Sequence, residues 1–152
     1  MAKKLALLGA AILLLDGVVA AAWAASRSGP TSSSLSWRIL RSYNARQIEN
    51  AYIPVKAKGV YVIMNVAATN NAARPLMLSS SSIRLELNGV KYVLAPAGLQ
   101  ALGLAGDKVL ADSSLRPAGS TSGWLAFDVP LKAAASVPEL CLGGTCVPAP
   151  SV

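Results

Sequence analysis

The chain has 152 residues, 53% of them hydrophobic, 14% charged and only 5% aromatic. Fourteen Lys and Arg against seven Asp and Glu give a net charge of +7, yet the cations are scattered and no basic–aromatic motif marks a nucleic-acid site. The chain has no histidine, which removes the commonest general base and metal ligand, and with them Ser-His-Asp and Cys-His catalysis and most zinc and copper sites.

Residues 1–25 begin with a short cationic stretch containing Lys3 and Lys4 and continue as an apolar run interrupted by Asp16. Ala22-Trp23-Ala24 fits the small-x-small pattern read by a signal peptidase. The run is also about as long as a spanning helix requires, roughly 20 residues, so an uncleaved membrane anchor with its lysines inside is the second reading. Asp16 opposes the anchor, because a carboxyl at mid-bilayer is costly. Both readings place the following domain outside the cytoplasm. No cysteine ends the run, as a lipoprotein would need. Residues 26–34, rich in Ser with one Gly-Pro, read as a linker.

From Leu35 onward the chain has the pattern of short strands. In 60-VYVIMNVAA-68, Val60, Val62, Met64, Val66 and Ala68 alternate as a core face, while Tyr61, Asn65 and Thr69 suggest a mixed opposite face. Asn70-Asn71 supplies turn chemistry, and Pro75, which cannot donate to a ladder, is placed to open the next strand at an edge. In 83-IRLELNGVKYVL-94 the Asn88-Gly89 turn predicts a tight hairpin that pairs Leu87 with Val90, Glu86 with Lys91 and Leu85 with Tyr92. Ile83, Leu85, Leu87, Val90, Tyr92 and Leu94 would then share one face, with a Glu86–Lys91 ion pair on the other.

Residues 95–113 are broken by Pro96, Gly98, Gly103 and Gly106 and read as a long inter-sheet crossover with room for one helical turn. In 121-TSGWLAFDVP-130, Leu125, Phe127 and Val129 point inward, Trp124 and Asp128 outward, and Pro130 ends the strand. Finally, a Gly143-Gly144 turn places Cys141 opposite Cys146, which predicts a disulfide in an exported chain, with residues 148–152 as a tail.

Chemistry-bearing residues are few. Arg38, Arg41, Arg46, Lys56 and Lys58 cluster in residues 35–58 against one acid, Glu49. With Trp124 they are the candidate contacts to a partner or to an anionic membrane surface, the competing reading being a solvated strand face. Asp107, Asp112 and Tyr92 are the residues near the crossover that an enzyme or ligand carrier could use, but no paired carboxylates or cofactor motif accompany them. No cofactor or metal is expected.

A set of short motifs runs through the domain: Trp37-x-Ile39, the stretch GVYVIMNVAATNN from Gly59 to Asn71, Arg74-Pro75-Leu76, and Leu85-x-Leu87-x-Gly89-x-x-Tyr92. The last runs from Leu115-x-Pro117-x-Gly119 through Gly123-Trp124-Leu125-x-Phe127 to Asp128-Val129-Pro130. In these the chain resembles a telokin-like domain of unknown function, common in exported bacterial and archaeal proteins and lipoproteins, including immunoprotective extracellular proteins of some phages and prophages. The likeness spans about residues 35–143. It implies an immunoglobulin-like antiparallel β-sandwich of about seven strands and a place outside the cytoplasm, and offers no catalytic residues to carry over. The chain departs from that family's lipoproteins in lacking the lipid-bearing cysteine and in its C-terminal cysteine pair.

The sequence therefore predicts an all-β protein: a signal or anchor helix over 1–25, a linker over 26–34 and an immunoglobulin-like sandwich over 35–147. Its expected role is non-enzymatic, binding a protein or envelope component, with no nucleic-acid partner. The alternative is a filament subunit in which an extended segment, about 26–41, completes a neighbour's sheet.

Overall fold

The structure, a computed structural model, describes residues 34–149. The predicted N-terminal helix and linker, up to residue 33, lie outside the described residues. In chain order the elements are β1 (Leu35–Ile48), β2 (Val55–Asn70), β3 (Leu76–Leu78), β4 (Ile83–Leu87), β5 (Val90–Val93), α1 (Pro96–Leu104), β6 (Ser113–Leu115), β7 (Ser120–Val129), β8 (Glu139–Leu142) and β9 (Thr145–Pro148). The antiparallel sheets run β1-β2-β7, β3-β6 and β5-β4-β8-β9. Nine described strands exceed the expected seven or so, because β3 and β6, at three residues each, are too short to show an alternation in sequence.

The alternation along β2 does what its pattern predicts. Val60, Val62, Met64, Val66 and Ala68 are all buried, and they join Leu125, Phe127 and Val129 of β7 and Ile83, Leu85 and Leu87 of β4 in one core between the large sheets. The opposite face of β2 departs from expectation. Tyr61 and Ile63 are as deeply buried as the core, because α1 covers that side and forms a second apolar cluster through Ala101 and Leu102.

The broken segment is thus a nine-residue helix and not a loop with one turn. Pro96 stands in its first turn, where a missing N–H costs nothing. Gly98 is its contact point: a Cβ there would come within 3.1 Å of the Tyr61 ring. After the helix, Val109 makes a parallel bridge to Trp124, and Leu110 enters the core.

The Asn88-Gly89 hairpin has the predicted register, with both turn residues at positive φ (51° and 76°). Two details differ. Val90 is exposed, because β5 is a sheet edge. Glu86 and Lys91 are opposite in register without closing an ion pair; the Glu86 carboxylate lies instead within 4.8 Å of the two cysteine sulfurs on β8 and β9. Cys141 and Cys146 are register partners and are joined in a disulfide, as their spacing predicts.

Two polar side chains hold the sheet ends. Asn70 is fully buried; its amide nitrogen donates to the carbonyls of Arg74 (2.8 Å), Leu115 (3.0 Å) and Arg116 (3.2 Å), and its oxygen accepts from the Ala72 N–H (2.9 Å). Neither Asn70 nor Asn71 has positive φ, so the corner uses amide bonding and not left-handed backbone. At the other end of β2, the Asp128 carboxylate accepts the backbone N–H groups of Lys58 (2.8 Å) and Gly59 (3.1 Å) where the β1–β2 register is irregular. Gly59 leaves no room for a side chain, since a Cβ would strike the Val129 carbonyl.

Asn70→Ala strips partners from buried carbonyls and should cost about 3 kcal/mol or more, whereas exposed Asn71→Ala should change stability by about 0.5 kcal/mol or less, both read from urea unfolding. The C-terminal disulfide closes a short loop, so the Cys141→Ala/Cys146→Ala variant should lose only about 2 kcal/mol and remain folded in the same assay.

Candidate functional site

A bulge in β1 decides which side chains reach the outer face of the β1-β2-β7 sheet. Ile39 pairs with Val66 and Arg41 with Asn65, so Leu40 is an extra residue and the alternation reverses phase there. Before the bulge, Trp37 and Ile39 point into the core; after it, Arg41 and Tyr43 stand opposite Asn65 and Ile63, on the helix-covered side. Without the extra residue these two side chains would face the core.

The result is a shelf beside α1. The Tyr43 and Trp124 rings meet edge to face, with centroids 5.8 Å apart and planes at 76°. The Arg41 guanidinium lies 5.8 Å from the Tyr43 ring centroid. Asn65 sits between Arg41 and Trp124 in register, and its buried side-chain oxygen has no hydrogen-bond partner. Tyr43 is 37% exposed, so the shelf can be reached from solvent. Burial raises the Tyr43 phenol pKa above its ordinary value; the Asp107 carboxylate at the end of α1 raises it further, and Arg41 opposes both. Tyr61, under the helix, is also raised, by burial and then by Asp128.

The sequence cluster of cations does not form one patch. Arg38 and Arg41 lie along the half of β1 that enters the sheet, whereas Arg46, Lys56 and Lys58 gather where β1 and β2 approach their connecting loop. About eight residues of strand, roughly 25 Å, separate Arg38 from Arg46. All five are exposed. Trp124, half-buried, is on the outer face as predicted.

Asp107, Asp112 and Tyr92 are not brought together. Asp107 is near Tyr43, Asp112 accepts the Ser80 N–H (2.8 Å) and stands at φ 56°, and Tyr92 packs against the main core from β5. Glu86, Cys141 and Cys146 converge, but the two sulfurs are bonded to each other and cannot ligate. A cavity of about 610 Å³ opens at Lys58, Tyr61, Val93, Pro96, Asp128 and Pro130. The bulge that builds the shelf left no trace in the residue pattern; the usable signal was the apolar run 60-VYVIM-64, which implies a cover on both faces of β2.

Layered antiparallel sheets and one covering helix define a β-sandwich domain. The chain belongs to the family described as a domain of unknown function (DUF4352), whose model matches residues 31–140. A conserved hypothetical protein from Bacillus anthracis has a similar structure, with TM-score 0.61 and 10% identity over 77% of this chain and 87% of its own. An uncharacterised β-sandwich protein from Clostridium difficile aligns with TM-score 0.50 and 15% identity over 82% of this chain and 89% of its own. A candidate lipoprotein, YcdA, from Bacillus subtilis aligns with TM-score 0.51 and 18% identity, over 80% of this chain but 37% of its own length. No curated protein matches the sequence.

The raised Tyr43 pKa gives a signed test. Its neutral phenol is the favoured form, so the associated stability is complete below the ordinary tyrosine value of 10.0 and is lost as pH rises through the raised one. Asp107→Asn should move the Tyr43 ionisation to lower pH and Arg41→Gln to higher pH, both followed by ultraviolet tyrosinate absorbance.

Proposed function

We propose that the protein is an exported, non-catalytic envelope protein whose immunoglobulin-like domain binds a protein or surface component through the Arg41–Tyr43–Trp124 shelf. The observation that carries this reading is the Asn65 amide. A buried polar atom without a partner is costly, and one placed between an arginine and a tryptophan on a reachable face is a group that a ligand can complete, with small side-chain movement. Aromatic rings and arginine are also the side chains that most often anchor protein interfaces. Export is supported by the apolar N-terminal run, by the pairing of both cysteines in a disulfide, and by the likeness to a candidate lipoprotein.

The filament alternative draws less support. Leu35 to Ile39 and Arg41, part of the segment that would complete a neighbour's sheet, already pair with β2 of their own chain. Donating them would strip Trp37 and Ile39 from the core.

A photo-crosslinking residue at Tyr43 in expressing cells should give envelope adducts that the same residue at Met77, exposed on the short β3, does not. Adding Arg41→Ala and Trp124→Ala should abolish them. Equal adducts from both positions, or none from position 43, would overturn the reading.

A further inference from the structure

The β1–β2 connection carries a second surface, at the opposite end of β1 from Leu35. β7 pairs with β2 only from Val60 onward, and past that point β1 and β2 keep two register pairs, Gln47 with Lys56 and Ile48 with Val55, as a short two-stranded arm. On the β1 side this overhang is Arg46 to Ile48, roughly 10 Å at strand rise. The arm is held at both ends: Asp128 holds the N–H groups of Lys58 and Gly59 at its base, and Ile48 and Val55, the last pair before the loop, pack into the apolar cluster under α1.

Its tip presents apolar groups outward. Tyr52 is 78% exposed and Ile53 74%, the two highest values among the large apolar residues described. They are held in that position. The Asn50 side-chain oxygen accepts the N–H of Tyr52 (2.8 Å) and of Ile53 (3.1 Å), and its amide nitrogen donates to the Ile53 carbonyl (2.8 Å). Pro54 follows directly. An ordered loop that keeps a tyrosine and an isoleucine in water loses little conformational freedom when something apolar covers them.

Behind the tip, cations outnumber acids by three to two. Arg46, Lys56 and Lys58 are exposed along the arm. The two nearby acids keep their charge but are turned to other partners, Glu49 to Gln47 (2.5 Å) and Asp128 to the backbone N–H groups of Lys58 and Gly59. An apolar tip with a cationic collar matches the cross-section of an anionic lipid surface, apolar inside and phosphate-bearing outside. A soluble polyanion would satisfy the collar and leave Tyr52 and Ile53 in water.

We infer that the arm docks on an anionic membrane, with Tyr52 and Ile53 entering the interface and Arg46, Lys56 and Lys58 lying at the phosphates. This goes beyond the shelf and uses none of its residues.

The test labels Ala51, at the exposed tip, as Ala51→Cys carrying an environment-sensitive fluorophore on the full chain. Labelling is selective because the native cysteines are joined to each other. A second labelled variant, Val90→Cys on the β5 edge, reports a surface away from the arm. Attachment through the N-terminal apolar run would not distinguish neutral from anionic vesicles, so the probe and not attachment is read. Position 51 should shift to the blue and gain protection from an aqueous quencher on phosphatidylglycerol-containing vesicles, but not on pure phosphatidylcholine vesicles, while position 90 stays unchanged. Salt, Lys56→Gln/Lys58→Gln and Tyr52→Ser/Ile53→Ser should each reduce that shift by more than half. No shift on anionic vesicles, an equal shift at position 90, or a shift that appears without vesicles as protein concentration rises would overturn the inference, the last by assigning the tip to a second copy of the chain. Shelf crosslinking reads a different residue, so either result can fail alone.

Discussion

Asn70 is a buried amide at the point where the long ribbon stops, and its four hydrogen bonds go to backbone in two segments, Ala72 and Arg74 just downstream and the distant Leu115 and Arg116. Each bonded group is one that leaving the ladder would otherwise orphan. The chain turning from β2 toward β3 is tied to the chain between β6 and β7, and that junction sets where the second layer meets the first. The Asn70 backbone N–H adds a bond to the Gly119 carbonyl (2.9 Å), and Asn71 bonds the Ser34 carbonyl (2.8 Å), which fastens the start of β1 to the same corner. Sheet packing, strand register and the entry of the chain all depend on this junction.

The same view accounts for the motifs that mark the family. Gly59 and the Asp128-Val129-Pro130 run are distant in sequence but meet in space, one providing the gap and the other the carboxylate that stabilises a register irregularity. The Asn70–Asn71 corner and the Leu115-x-Pro117-x-Gly119 segment meet in the Asn70 clamp. These residues are architectural. Nothing about them specifies a ligand, and of the proposed contacts Arg41, Tyr43, Tyr52 and Ile53 lie outside the motifs while Asn65 and Trp124 lie within them.

What the sequence made legible was local. Asn88-Gly89 and Gly143-Gly144 set hairpins whose register follows from a two-residue turn, so partners as specific as Leu85–Tyr92 and Cys141–Cys146 could be named in advance. α1 was hidden because its breakers serve other ends: Pro96 occupies a first-turn position and Gly98 makes way for Tyr61. The shelf was hidden for a different reason. A single unpaired residue, Leu40, reverses the inward and outward faces from Arg41 to Ala45, and no residue type marks the place. The basic cluster looked continuous because sequence proximity ignores direction; along an extended strand, eight residues are enough to put two cations on separate surfaces.

The length of β1 has a mechanical consequence. Leu35, where the chain enters the fold, and Ile48, at the foot of the loop that carries Tyr52, are joined by one nearly extended strand. A force pulling between those two points travels along covalent bonds that are already close to full reach. It neither shears the β1–β2 ladder nor peels a strand from its neighbour, as a pull through the C-terminal hairpin would. A domain held at one end and loaded at the arm is therefore a strut, stiff under tension without drawing on the stability of its core.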